Sequence, residues 1–106
     1  NRHAVDAAVL KALGPGGHLV NISPGIAVDE DALCAALETG AIAGAALDVY
    51  ENEPHVSDRL RALDNVVLAP HIAAATELAQ AAQQDTMLGN LEAFFAGRPL
   101  LSAVAL

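Results

Sequence analysis

Two short stretches carry the side chains suited to proton chemistry. DVYENEP, residues 48–54, holds Asp48, Glu51 and Glu53, and APHIAAAT, residues 69–76, holds His71 eighteen positions beyond Glu53. A carboxylate within hydrogen-bonding reach of an imidazole favours its charged form, which makes a histidine a proton donor near neutral pH. Taken alone, a glutamate and a histidine so far apart are as readily two unrelated loop residues. Asp48 ends an apolar run and has its own plain reading, as a carboxylate that terminates a strand and starts a turn. A third stretch, Ile22-Ser23-Pro24-Gly25, closes another apolar run, and its Pro-Gly step predicts a type II turn over residues 23–26.

The remaining titratable and soft residues read more simply. His3, His18 and His55 have no matching partner in the pattern and are read as solvated or structural. Cys34 is read as a small apolar group packed on its helix. Asp29, Glu30 and Asp31 fall where negative charge suits the first turn of a helix, and no histidine or second acidic cluster joins them to make a metal site.

The elements that must position Glu53 and His71 alternate. Asp6 can cap a helix running to Leu13, with Gly14 just beyond its end. Residues 18–22, residues 45–49 and Val66–Leu68 are short apolar runs bounded by turn residues, and they read as strands buried on both faces. A second helix follows Asp29 and stops at Gly40, and a turn of helix is expected over residues 57–63. Thr76 is a good N-cap for a last, longer helix ending at Gly97. That helix is expected to carry Leu88, Leu91, Phe94 and Phe95 on one face, the phenylalanine pair in a core. Strands alternating with helices predict a three-stranded parallel sheet with right-handed crossovers, an α/β fold.

Composition bounds the function. The chain has 106 residues, 54% of them hydrophobic but only 3% aromatic, so its core must be built from Ala, Val, Leu and Ile. Five basic against thirteen acidic residues leave a net charge of −8, which repels phosphate backbones and anionic lipid, so neither nucleic acid nor membrane is an expected partner. One cysteine allows no internal disulfide and no zinc cluster, and it fits a reducing, cytoplasmic setting. The chain starts at Asn1, its only methionine is Met87, and no G-x-G-x-x-G turn follows a strand, so it reads as a piece of something longer.

Three separated blocks, HLVNISPGIAVDEDALCAALETGAIAGAALDVYENEP, NVVLAPHIAAAT and FFAGRPL, agree in content and order with one family. From residue 1 to about residue 101 the chain resembles the C-terminal part of a D-isomer-specific 2-hydroxyacid dehydrogenase, nearest in flavour to the glyoxylate and hydroxypyruvate reductases. The resemblance implies that residues 1–75 are the second half of a Rossmann-type NAD(P)-binding domain and that residues 76–106 lead back towards a substrate domain. It implies His71 as the acid/base and Glu53, rather than Glu51, as the carboxylate that holds its ring. It implies Asp48 on the nicotinamide side, with Ile22, Ser23, Pro24, His71, Ala73 and Ala74 lining the cofactor. The implied cofactor is NAD or NADP, the substrate a small 2-keto or 2-hydroxy acid, and the assembly a homodimer.

One departure stands out. Where the family carries the arginine that clamps the substrate carboxylate, this chain has Pro24, which offers no charge and no donor. Arg59 and Arg61 are the nearest other arginines in the later loop. The expectation is an oxidoreductase segment that is inactive alone, and the alternative is a non-catalytic, truncated relative kept for folding or subunit contact.

Overall fold

The computed structural model describes residues 2–104, which divide into two units, residues 2–72 and residues 73–104. In the first unit α1 (Ala7–Leu13) leads to β1 (His18–Asn21), a 3₁₀ turn (Gly25–Ala27), α2 (Glu30–Glu38), β2 (Gly44–Leu47), α3 (Asp58–Arg61) and β3 (Val66–Leu68). The strands lie in the order β1-β2-β3, all parallel, with Val20 abreast of Ala46 and Ala46 abreast of Val67. The fold is α/β, three parallel strands with flanking helices. No helix among the described residues is long and apolar enough to cross a membrane.

Helix starts follow from side chains that satisfy backbone N–H groups left over at a helix end. The Asp6 carboxylate accepts from Ala8 and Val9, Asp29 from Ala32, Ser57 from Arg59 and Thr76 from Ala79. Gly14, Gly40 and Gly97, just past three helix ends, adopt the positive φ that a side chain resists.

One face of the sheet makes the core. Leu10 of α1, Leu33 and Leu37 of α2 and Leu60 of α3 close over Ala45 and Leu47, with Leu19, Val66 and Leu68 partly buried beside them. Cys34 is buried in this cluster, and burial pushes its thiol pKa up, so it behaves as a small apolar group. The strands are not buried on both faces, as their apolar runs predict. All three helices pack on the same side, and Val20 and Val67 each remain 68% exposed on the other.

The Pro24-Gly25 step also differs from expectation. Gly25 does not have positive φ, so the type II turn is absent, and a 3₁₀ turn runs from Pro24 with Ala27 N–H donating to the Pro24 carbonyl. Glycine is required for another reason: a β-carbon there would sit 2.0 Å from the Tyr50 carbonyl oxygen. Two backbones touch at this point.

The second unit is α4 (Glu77–Phe95) with its tail folded back. Asn90 accepts from the Leu101 N–H at 2.9 Å and donates to Ser102 Oγ at 2.7 Å. Phe94 and Phe95 meet edge to face at 5.4 Å but are 68% and 82% exposed, so they form no core. A single helix with a short tail has too few neighbours to cover them.

Gly25→Ala is expected to destabilise the first unit by ~1–3 kcal/mol, because the new methyl overpacks rigid backbone. Gly16→Ala, in open space at ordinary φ, should be neutral or stabilising by up to ~1 kcal/mol. Urea unfolding of the two variants side by side checks the contrast, and equal midpoints would refute it.

Candidate active site

In open parallel sheets ligands gather beyond the carboxyl ends of the strands, and the polar side chains of this chain converge there. The carboxyl ends of β1, β2 and β3 are joined first by backbone hydrogen bonds. Ala69 N–H donates to the Leu47 carbonyl at 2.8 Å, and Asp48 N–H to the Asn21 carbonyl at 3.0 Å. Tyr50 adds a side-chain staple between the loops, its hydroxyl donating to the Ala69 carbonyl at 2.8 Å. Burial of the Tyr50 ring pushes its phenol pKa up, which keeps the hydroxyl a donor.

Glu53 and His71 meet across this junction. His71 Nδ1 lies 2.8 Å from Glu53 Oε2. An ionised carboxylate only accepts, so Nδ1 carries the hydrogen and Nε2 is left as the working edge of the ring. The other carboxylate oxygen, Oε1, accepts from the Tyr50 N–H at 3.0 Å, which fixes the carboxylate from behind. The hydrogen bond and charge of Glu53 raise the His71 pKa above the ordinary 6.5, and the same bond, with the Tyr50 N–H, lowers the Glu53 pKa below 4.5. Both shifts favour the charged pair, although the two side chains remain 64% and 35% exposed and water screens them.

His71 sits on unusual backbone. Its φ is +56°, in the left-handed region, and the next peptide is held in place by Asp48, whose Oδ1 accepts from the Ile72 N–H at 2.8 Å. Asp48 is buried, so its carboxylate serves as an anchor for the loop that presents the imidazole.

An open cleft of about 860 Å³ borders the pair, lined by Ile22, Ser23, Pro24, Val49, Glu53 and His71 among others. Ser23 is fixed by Asn21, whose buried side-chain oxygen accepts from both the Ser23 N–H at 3.0 Å and its hydroxyl at 2.7 Å. Ala73 and Ala74 lie in an exposed turn that opens the second unit. Among the described residues no group of three or more His, Cys, Asp or Glu is placed to hold a metal ion.

Neither later arginine lines this cleft. Arg59 is engaged by Glu38 through two hydrogen bonds of 3.0 and 2.9 Å. Arg61 pairs with Asp58 and borders a second cavity of about 390 Å³ that shares Tyr50, Glu53 and His71 with the first. His55 lines the main cleft, and its side chain is exposed. His3, read from sequence as lacking a partner, has one: its Nε2 lies 2.9 Å from Glu51 Oε1. Sequence reasoning also passed over Tyr50 and Asn21. For Asn21 the signal was present, an asparagine two residues before a serine at a strand end.

A parallel sheet alternating with helices, with an acid–base pair bridging the carboxyl ends of adjacent strands, defines half of a Rossmann-type dinucleotide-binding domain. Residues 1–73 match the model of the D-isomer specific 2-hydroxyacid dehydrogenase NAD binding domain. The chain belongs to this family, and NAD(P) is the cofactor class of that domain. It is 50% identical over 103 residues to a glyoxylate/hydroxypyruvate reductase of Arabidopsis thaliana, covering 97% of this chain and 33% of that protein. A glyoxylate reductase of Pyrococcus furiosus is 50% identical over 88 residues, 83% of this chain and 26% of its own length. Among solved structures, the NADPH-dependent glyoxylate/hydroxypyruvate reductase of Sinorhizobium meliloti with NADP and malonate superposes with a TM-score of 0.87. It shares 48% identity over 97% of this chain and 32% of that one. The chain thus spans about a third of the length of the curated relatives it matches.

A proton titration of His71 followed by NMR is expected to show a midpoint above 6.5, and Glu53→Gln should bring it back towards that value. Because the folded His71 pKa is raised, the stability that its charge contributes is complete below pH 6.5 and is lost as pH rises through the elevated midpoint. The Glu53 contribution is complete above pH 4.5 and is lost as pH falls through its lowered midpoint. A His71 midpoint indifferent to Glu53→Gln would break the assignment.

Proposed function

We propose that this chain is the hydride-transfer half of a reductase acting on small 2-keto acids with NADH or NADPH, and that His71 is its proton donor. The observation that carries the reading is the 2.8 Å contact between Glu53 Oε2 and His71 Nδ1, which favours the imidazolium and leaves Nε2 to face a substrate. When bound, the nicotinamide supplies the hydride. His71 gives its Nε2 proton to the carbonyl oxygen that becomes the hydroxyl, while Glu53 keeps the Nδ1 hydrogen bond throughout. Help of this kind is worth ~10²–10⁴-fold in rate. The names of the relatives, which include reductases of glyoxylate, hydroxypyruvate and 2-ketogluconate, support a small 2-keto acid as the substrate class.

The residues present suit the nicotinamide end of the cofactor. Ile22 and Val49 give the cleft an apolar wall, and buried Asp48 supplies a carboxylate at the end of β2. On this reading Asp48, Ser23, Pro24, Ala73 and Ala74 stand on the cofactor side. Among the described residues Gly14, Gly16 and Gly17 precede β1 and Gly14 serves as the cap of α1, so these glycines do not form a diphosphate-binding turn after a strand.

Pro24 weakens substrate capture. The cleft is lined by the carboxylates of Glu51 and Glu53 and the imidazoles of His55 and His71, and among the described residues no guanidinium lines it to oppose a substrate carboxylate. By analogy with loss of one stabilising donor, this costs ~10²–10³-fold in kcat/KM. A chimaera in which this chain replaces the matching third of a curated reductase tests the reading. It should reduce hydroxypyruvate slowly, lose that activity in His71→Asn, and gain ~10²–10³-fold in Pro24→Arg. Absence of any His71-dependent turnover, even with Pro24→Arg, would overturn it.

A second reading, a non-catalytic module for folding or subunit contact, has its own support in the open sheet face, where Val20, Ile22 and Val67 are each about 68% exposed or more. Light scattering over a dilution series discriminates: concentration-dependent association favours the module. A monodisperse monomer at all concentrations counts against it.

A further inference from the structure

We propose that Glu51, the first glutamate of the 48–54 block, is a positioning residue for the proton-delivering pair, clamping the loop that carries Glu53 between the strap at residues 2–5 and the first turn of α2. The proposal rests on the reading of Glu53 and His71 given above and adds to it a residue whose carboxylate is committed to Arg2 and His3.

Glu51 is held from both sides. Its Oε1 accepts from Arg2 Nη2 at 3.0 Å and from His3 Nε2 at 2.9 Å, with the side chain only 17% exposed. Its own N–H donates to Glu30 Oε1, at the start of α2. The strap that presents Arg2 and His3 is itself fixed. His3 N–H donates to the Ile26 carbonyl at 2.8 Å, Val5 N–H to the Ala27 carbonyl at 2.9 Å, and Asp29 N–H returns to the Val5 carbonyl at 3.0 Å. His3 takes φ of +53°, a conformation a histidine keeps only when its surroundings hold it, and here they do.

The effect reaches the site through one residue. Tyr50, directly before Glu51, gives its N–H to Glu53 Oε1 and rests its carbonyl on Gly25. With Glu51 anchored and Tyr50 seated, the carboxylate of Glu53 has one orientation, and its second oxygen meets His71.

Charge crowding explains why the anchor needs hydrogen-bond donors. Asp29, Glu30, Asp31 and Glu51 crowd this corner, and Arg2 and His3 are the basic groups that reach Glu51. Burial, with the charges of Glu51 and Asp31, raises the Glu30 pKa, while the Glu51 N–H works in the opposite direction. Without Arg2 and His3, the Glu30 and Glu51 carboxylates would repel each other, and the loop would lift from α2.

NMR on the 106-residue chain tests this with two independent variants, Glu51→Ala and the double variant Arg2→Met/His3→Asn, asparagine being tolerant of left-handed backbone. In both, the His71 titration midpoint should fall part of the way towards that of Glu53→Gln, and the Tyr50 amide should exchange about tenfold faster. Lys11→Met, which removes an exposed charge in the last turn of α1, should change neither. If Glu51→Ala does not fold, the double variant decides. An elevated wild-type midpoint that survives both variants unchanged overturns the role of Glu51 alone. A wild-type midpoint at or below 6.5 overturns the pair and, with it, this proposal.

Discussion

The contact on which the rest depends is the seating of the Tyr50 carbonyl against the α-carbon of Gly25, where no β-carbon fits. It brings the turn after β1 and the loop after β2 to backbone-to-backbone distance. From that seat Tyr50 reaches in two directions, its N–H to Glu53 and its hydroxyl to Ala69. Glu53 follows β2 and His71 follows β3, and they meet because the Tyr50 hydroxyl ties the second of these loops to the first. The hydrogen bond between them is the outcome of packing as much as of charge.

The chain is strongly acidic, and its basic residues are allotted locally. Arg2 is given to Glu51, Arg59 to Glu38 and Arg61 to Asp58. These pairs knit the loop and helix surfaces and leave the cleft with imidazoles as its basic groups. His71, whose pKa Glu53 raises, therefore gives the cleft a positive charge that is itself a titrating proton.

Much of this was legible in advance because local rules and family blocks pointed the same way. The capping residues Asp6, Asp29, Ser57 and Thr76 can be read one by one, since each works on N–H groups two or three positions away. The choice of Glu53 over Glu51 as the residue near His71 came from the resemblance, and the geometry places Glu53 there. What escaped was long-range. The need for glycine at position 25 arises from a backbone in another loop, not from its own dihedral angle. His3 and Glu51 are 48 positions apart, and nothing in the local pattern of either announces the other. Apolar runs such as residues 18–22 show that a strand wants cover without showing which face receives it, so the exposure of Val20 and Val67 was hidden. Phe94 and Phe95 mislead for the same reason, aromatic residues signalling burial only where a second layer exists.

The left-handed backbone at His71 constrains what can ever stand there. Glycine or asparagine could inherit that conformation at little cost, whereas valine or isoleucine would force the turn to rebuild and loosen the grip of Asp48 on Ile72. Few side chains could replace the imidazole without disturbing the loop. The shape of the loop is built to outlast its acidity.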